Sequence, residues 1–143
     1  MSSGYQIVER QPRPDEYARL RAAVGWWPVD PEASDAGLRE ARFSVCAVHD
    51  DEVIGCGRVV GDGGLYYYIQ DVIVLPAFQG QGIGRAIMGV IMSWVEARAR
   101  PGAFIGLMAA RGVAPFYHRY GFTERQPERP GMSKVVPAQP QAS

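Results

Sequence analysis

The chain has 143 residues, of which 47% are hydrophobic and 21% charged, a length and composition suited to one globular domain with one core. Its 15 basic side chains balance its 15 acidic ones, which argues against a broad electrostatic footprint on nucleic acid. Fourteen of the fifteen cations are arginine, with Lys134 the single lysine, a bias that codon composition explains as readily as function does.

The N-terminus, Met1-Ser2-Ser3-Gly4-Tyr5, lacks the basic and apolar segments of a secretory signal, so a cytoplasmic protein is expected. Residues 5–9 read as an opening strand. Pro14 then starts a helix in which Tyr17, Leu20, Ala23 and Val24 recur at helical spacing. Gly25-Trp26-Trp27-Pro28 breaks it, and a weaker helix is expected over 31–41. Residues 43–48 and 53–60 flank the polar turn His49-Asp50-Asp51-Glu52 and predict an antiparallel hairpin. Cys46 and Cys56 lie one in each of these strands. Two cysteines are too few for a disulfide scaffold and have no metal-ligand company, so they read as buried thiols, with a redox or disulfide role across the paired strands the alternative. No metal site is expected.

After the turn Gly61-Asp62-Gly63-Gly64, residues 65–75 form the best strand of the sequence, β-branched and aromatic, ended by Pro76. The helix that follows, to Arg98, places Ile83, Ile87, Val90, Ile91, Trp94 and Val95 on one face. Arg85 and Glu96 interrupt it, so it is not a membrane span. Residues 104–109 read as a buried strand, 113–120 as a short helix stopped by Gly121, and 132–136 as a closing strand. There is no internal repeat. The expected order is β-α-α-β-β-β-α-β-α-β, an α+β (mixed α/β) domain over 1–136 with a disordered tail at 137–143.

The most informative feature is the strong strand feeding the turn Gln79-Gly80-Gln81-Gly82-Ile83-Gly84 at the start of a helix. The first N–H groups of a helix lack internal partners and carry the positive end of its dipole, and glycines let an anion approach them. A Walker loop would need Lys-Ser/Thr after the last glycine, where Arg85 and Ala86 stand. A dinucleotide fingerprint would need a small residue where Arg85 or Ile87 falls, and no acid follows on a second strand.

Gln79-x-x-Gly82-x-Gly84 after Val72-Ile73-Val74-Leu75-Pro76 resembles the acetyl-CoA signature of the GNAT N-acetyltransferase superfamily. Phe116-Tyr117-His118-Arg119-Tyr120-Gly121-Phe122 resembles that family's second landmark, in the family's order. The resemblance implies a central, mostly antiparallel twisted sheet flanked by helices. It implies acetyl-CoA as cosubstrate, with main-chain groups of Val72, Ile73 and Val74 on the pantetheine arm. It also implies that Gln79, Gly80, Gln81, Gly82, Ile83 and Gly84 lie around the pyrophosphate, with Arg85 adding charge. Tyr117 becomes the general acid. The family's asparagine about seven residues before that tyrosine is replaced here, in the region of Ala110 and Arg111. A homodimer is expected on the same ground.

Acetyl transfer to an amine needs a neutral nucleophile. An alkylammonium of pKa about 10.4 is neutral in only about one molecule in 2,500 at pH 7, so a base or a water relay is expected. Asp71, just before the cofactor segment, is the candidate base, and Tyr68 with Gln70 can instead hold a relay water. Trp26, Trp27 and Tyr68 are candidates for the acceptor site, where aromatics suit an aromatic or cationic amine. The reading is an N-acetyltransferase acting on a small primary amine by direct attack in a ternary complex. The alternatives are a protein lysine or N-terminal acetyltransferase, and a non-catalytic acyl-CoA-binding module. No nucleic acid or membrane partner is expected.

Overall fold

The computed structural model of the chain describes residues 4–137, which divide after Met108 into two compact units. The first unit contains β1 (Tyr5–Val8), α1 (Pro14–Ala23), α2 (Pro31–Arg39), β2 (Phe43–His49), β3 (Glu52–Gly61), β4 (Tyr66–Val74), a 3-10 turn (Pro76–Phe78), α3 (Ile83–Arg98) and β5 (Phe104–Leu107). The second contains α4 (Ala114–His118). The five strands stand in the sheet in chain order, antiparallel except for the parallel pair β4 and β5. This is the mixed α+β architecture expected, without its last strand. Residues 131–137 adopt no regular structure, and Met132, Val135 and Val136 are exposed. The sheet ends at β5, so among the described residues the segment has no strand to pair with. The tail expected at 137–143 lies, after its first residue, outside the described residues.

Local chemistry accounts for the element ends. The β2–β3 hairpin closes through Asp50 and Asp51, both at positive φ (48° and 61°), as a two-residue turn with right-handed strand twist demands. Aspartate tolerates that region better than bulkier residues. In α1, Pro14 fills the first helical position and Glu16 accepts a 2.8 Å bond from the Arg13 N–H. The same helix stops at Gly25, whose φ is +78°, with N–H bonds from Gly25 to Ala22 O (3.1 Å) and from Trp26 to Arg21 O (2.9 Å). This paired pattern is a Schellman stop, and it folds Trp26 back onto the helix it ends. Asp30 caps α2 through the Ala33 N–H at 2.9 Å.

Strand β4 carries a bulge. Cys56 lies opposite Ile73 and Arg58 opposite Gln70, so two residues, Asp71 and Val72, face Gly57 alone. Asp71 absorbs the irregularity with φ +58°. The bulge reverses which side chains face which layer. Before it, Tyr67 lies edge-on to Trp94 of α3; after it, Ile73 joins Leu20 of α1 with Cys46, Val53 and Cys56. Tyr67, Ile69, Asp71 and Ile73 are all buried, so the sequence alternates without a break while its layer assignment switches.

Helix α3 packs on β2, β3 and β4 through Ile83, Ile87, Met88, Ile91 and Val95. Val90, expected on the apolar face, is exposed, and Met88 takes a core place, because the buried stripe drifts around the helix. The approach is close: a Cβ on Gly57 would stand 2.7 Å from Ile91 Cδ1 and 2.8 Å from Ile87 Cγ2. Cys46 and Cys56 are opposed in register, buried and unbridged.

Leu20 is fully buried at the junction of α1 with the sheet. Leu20→Ala removes about three carbons from a packed site and is expected to cost about 3 kcal/mol. Urea unfolding with an unchanged slope checks this.

Candidate active site

Strand β4 outruns its neighbour. The β4–β5 ladder runs from Tyr66 opposite Phe104 to Ile69 opposite Leu107, and β4 continues to Val74. Its edge at Val72, Ile73 and Val74 therefore has no strand partner on the β5 side among the described residues. Unpaired main-chain groups on such an edge can take an extended ligand in place of a strand. The side chain of Gln79 returns to this edge, donating 2.9 Å to the Val74 carbonyl.

The chain then turns directly into the start of α3. Gly80 (φ +80°) and Gly82 (φ +84°) both adopt the left-handed conformation that glycine accepts at least cost, and both are exposed. Gly82 is the N-cap and supplies no side-chain acceptor to the first turn. The N–H groups there remain available to an anion. Gln81 and Arg85 are exposed beside them, Gly84 is half-buried, and Ile83 is buried, anchoring the turn to the core. No cluster of three metal-ligating side chains occurs among the described residues.

Asp71 is buried beneath this edge, in a cluster of charged and phenolic groups. Its Oδ2 accepts from Arg58 Nε at 2.7 Å and from the Tyr17 hydroxyl at 2.9 Å, while Gln70 Nε2 donates to Oδ1 at 3.3 Å. Arg21 Nη1 stands 3.7 Å from Oδ1 and donates to the Tyr17 oxygen at 3.3 Å. Both cations lead away from the sheet. Arg58 Nη1 donates to the Gly37 carbonyl of α2 at 3.0 Å, and Arg21 donates to the Trp27 carbonyl through Nη2 (2.8 Å) and Nε (3.2 Å). Burial, and then the Asp71 charge, raise the Tyr17 phenol above its ordinary range and keep it a donor. The bulge carbonyl at Asp71 also accepts from the Cys56 thiol at 3.2 Å, and burial raises that thiol well above its usual range, so it is no thiolate nucleophile.

Among the acceptor-site candidates, Trp26 is half-buried against the core cluster and Trp27 is 57% exposed. Tyr68 is half-buried, on the face of the sheet opposite to Tyr67. Tyr66 is exposed and pairs with Phe104 instead. In the second unit, Tyr117 is buried on α4 between the Phe116 and Phe122 rings. Burial first, then neighbouring Tyr120, raise its phenol above the ordinary tyrosine value. His118 faces solvent and pairs with Glu124.

The sequence points to Asp71 and Gln70, but not to Tyr17, Arg21 and Arg58 as partners of Asp71. Tyr17 and Arg21 stand four apart, one turn of one helix face. Arg58 is the single cation in the otherwise apolar run of β3. Both were visible signals.

An open strand edge ending in a glycine turn at a helix start suits a long ligand with a phosphate end. The profile of the acetyltransferase (GNAT) domain matches residues 40–124. A probable acetyltransferase from meticillin-resistant Staphylococcus aureus superposes with a TM-score of 0.88 at 32% identity, covering 92% of this chain and 99% of that one. A GNAT-family protein from Streptococcus pneumoniae gives 0.76 at 27% identity, covering 92% and 98%. Among sequence relatives, a rice chloroplastic serotonin N-acetyltransferase is 32% identical over 108 residues, 73% of this chain and 46% of its own length. An uncharacterized N-acetyltransferase of the red alga Porphyra purpurea is 26% identical over 111 residues, 75% of this chain and 63% of its own length. The chain thus spans less than two thirds of these curated relatives. It belongs to the GNAT acetyltransferase family.

Asp71→Ala would leave the buried Arg21 and the half-buried Arg58 facing no carboxylate. Breaking a buried pair from one side typically costs about 3–5 kcal/mol, and a loss of that size in urea unfolding is expected.

Proposed function

We propose that the protein is an acetyl-CoA-dependent N-acetyltransferase that acetylates a primary amine of a small molecule by direct attack in a ternary complex. The observation that carries the reading is the β4 edge at Val72–Val74, open beyond Ile69 and followed, after one 3-10 turn, by the glycine turn. Acetyl-CoA has the matching form: an amide-bearing arm for the strand edge and a pyrophosphate for the N–H groups of Gln79 to Gly84, with Arg85 beside it. Phosphates held by main-chain N–H groups need no basic excess in the chain, consistent with its zero net charge. The family match runs across the division at Met108, which supports treating residues 1–136 as one catalytic domain.

The amine nitrogen attacks the thioester carbonyl carbon, a main-chain N–H near Val74 stabilises the oxyanion, and the carbon–sulfur bond breaks. The departing thiolate takes the phenolic proton of Tyr117. Because burial raises that phenol, it stays protonated through neutral and mildly alkaline pH, the state an acid requires. The oxygens of Asp71 already accept from Arg58, Tyr17 and Gln70, which supports a role in holding the site together. The amine proton is then assigned to a water at Tyr68 and Gln70 that passes it to solvent. The rice relative is named for serotonin, an arylalkylamine, which supports a small-molecule acceptor over a protein lysine or N-terminus. A cytoplasmic homodimer completes the reading. No described helix is long and apolar enough to cross a membrane.

Release of free thiol from acetyl-CoA in the presence of a panel of amines tests the reading directly. A tight acyl-CoA complex with no release for any amine or peptide would make the chain a binding module. Gly82→Val forces a β-branched residue to φ +84° and is expected to abolish the acetyl-CoA-induced rise in Tm; a retained rise contradicts the pyrophosphate assignment. Tyr117→Phe is expected to lower kcat roughly a hundredfold with acetyl-CoA affinity preserved, and to lack the alkaline limb expected of the parent beyond the ordinary tyrosine range. Asp71→Asn should keep the acidic limb of the pH–rate profile; its disappearance would make Asp71 the base.

A further inference from the structure

Arg21 is an unusual helix residue. Its side chain is only 6% exposed, and its guanidinium carbon lies 5.5 Å from the ring centroid of Tyr17, 5.4 Å from Trp26 and 5.0 Å from Trp27. Three aromatic rings and the Asp71 carboxylate thus surround one cation. Its two-pronged bond to the Trp27 carbonyl fixes the backbone at the point where the α1–α2 connection leaves the Schellman stop. The Trp27 ring is thereby backed by a fixed cation while more than half of its surface faces solvent.

We propose that Arg21 is a positioning residue for acceptor recognition, holding Trp27 as an aromatic platform that selects amines with a flat aromatic body over aliphatic polyamines. This deepens the acetyltransferase reading and rests on it. The selectivity follows from charge. The buried cluster holds two guanidinium groups, Arg21 and Arg58, against the single carboxylate of Asp71. One face of Trp27 already serves a cation, so a second cation stacked on its outer face meets a depleted ring and a like charge behind it. A neutral arene placed there gains stacking and apolar contact without that repulsion. The amine of such an acceptor then extends away from the platform on its alkyl chain. Tyr68, half-buried beside Gln70 on the same face of the sheet as Asp71, is placed to line that path.

The test measures thiol release from acetyl-CoA with 2-phenylethylamine, tryptamine and spermidine as acceptors, for the parent chain, Trp27→Leu and Arg21→Lys. The parent is expected to show kcat/KM at least tenfold higher for the two arylalkylamines than for spermidine. Trp27→Leu should raise KM for 2-phenylethylamine about tenfold with a smaller change in kcat, and leave the acetyl-CoA-induced Tm rise intact. Arg21→Lys keeps the charge but loses the planar fork on the Trp27 carbonyl, and should reproduce that KM effect. The double variant should add little to either single one, since both changes dismantle one platform. If Arg21→Lys does not fold, the parent preference and Trp27→Leu alone decide the matter. Turnover with a preference for spermidine, or arylalkylamine KM values indifferent to Trp27, would overturn this inference and leave the acetyltransferase reading standing. Absence of thiol release with every acceptor would overturn both.

Discussion

A carboxylate held between two guanidinium groups organises this molecule around its sheet. Asp71 sits at a bulge, in a backbone conformation that a non-glycine residue adopts at a cost of about 1–2 kcal/mol, and that cost is offset by the bonds the conformation allows. From there Arg58 reaches α2 and Arg21 reaches the connection between α1 and α2. One side chain of β4 thus ties the sheet to the helical layer on one of its faces. Every polar atom buried in the described side chains has a partner, as a charged cluster in a small core requires.

The same bulge separates two jobs along one strand. Upstream of it, Tyr67 and Ile69 serve the α3 side of the sheet; downstream, Val72 to Val74 carry an edge that, on the β5 side, no strand covers among the described residues. The edge is joined to Gly80 and Gly82 by the short 3-10 turn Pro76–Phe78, so extended main chain and helix N-terminus are close in the chain. A ligand with an amide arm and a phosphate head matches that sequence of groups. Recognition of this kind is made by the backbone, and the side chains at 79–84 can stay small or exposed.

Much of this was legible in the residues. The strand-glycine-helix succession, the hairpin at His49 to Glu52 and the breaks at Gly25 and Pro76 follow from local chemistry, which a sequence displays directly. Less legible were features set by tertiary geometry. The alternation of Tyr67, Ile69, Asp71 and Ile73 reads as one buried face, because a bulge changes the layer without changing the period. The exchange of Val90 for Met88 in the core depends on how α3 crosses the sheet. A strand over 132–136 has the right residue types, yet strand formation needs a partner, and a sequence lists residue types only. Arg21 and Arg58 were overlooked for a related reason: an arginine reads as surface until the carboxylate that neutralises it is located.

The reversal of layers at Asp71 also bears on how chains of this kind can change length. The turn at Asp50 and Asp51 lies outside the ladder, so an added residue there lengthens a loop and leaves both strands in step. A residue gained or lost within β4 moves every later side chain of that strand to the opposite layer, exchanging Val72 and Val74 with Ile73 and shifting the edge that leads into the glycine turn. Alignments of relatives should therefore tolerate gaps at the hairpin and reject them between Gln70 and Gly82. A relative without the extra residue opposite Gly57 would have to rebuild this open strand edge and its helical layer together.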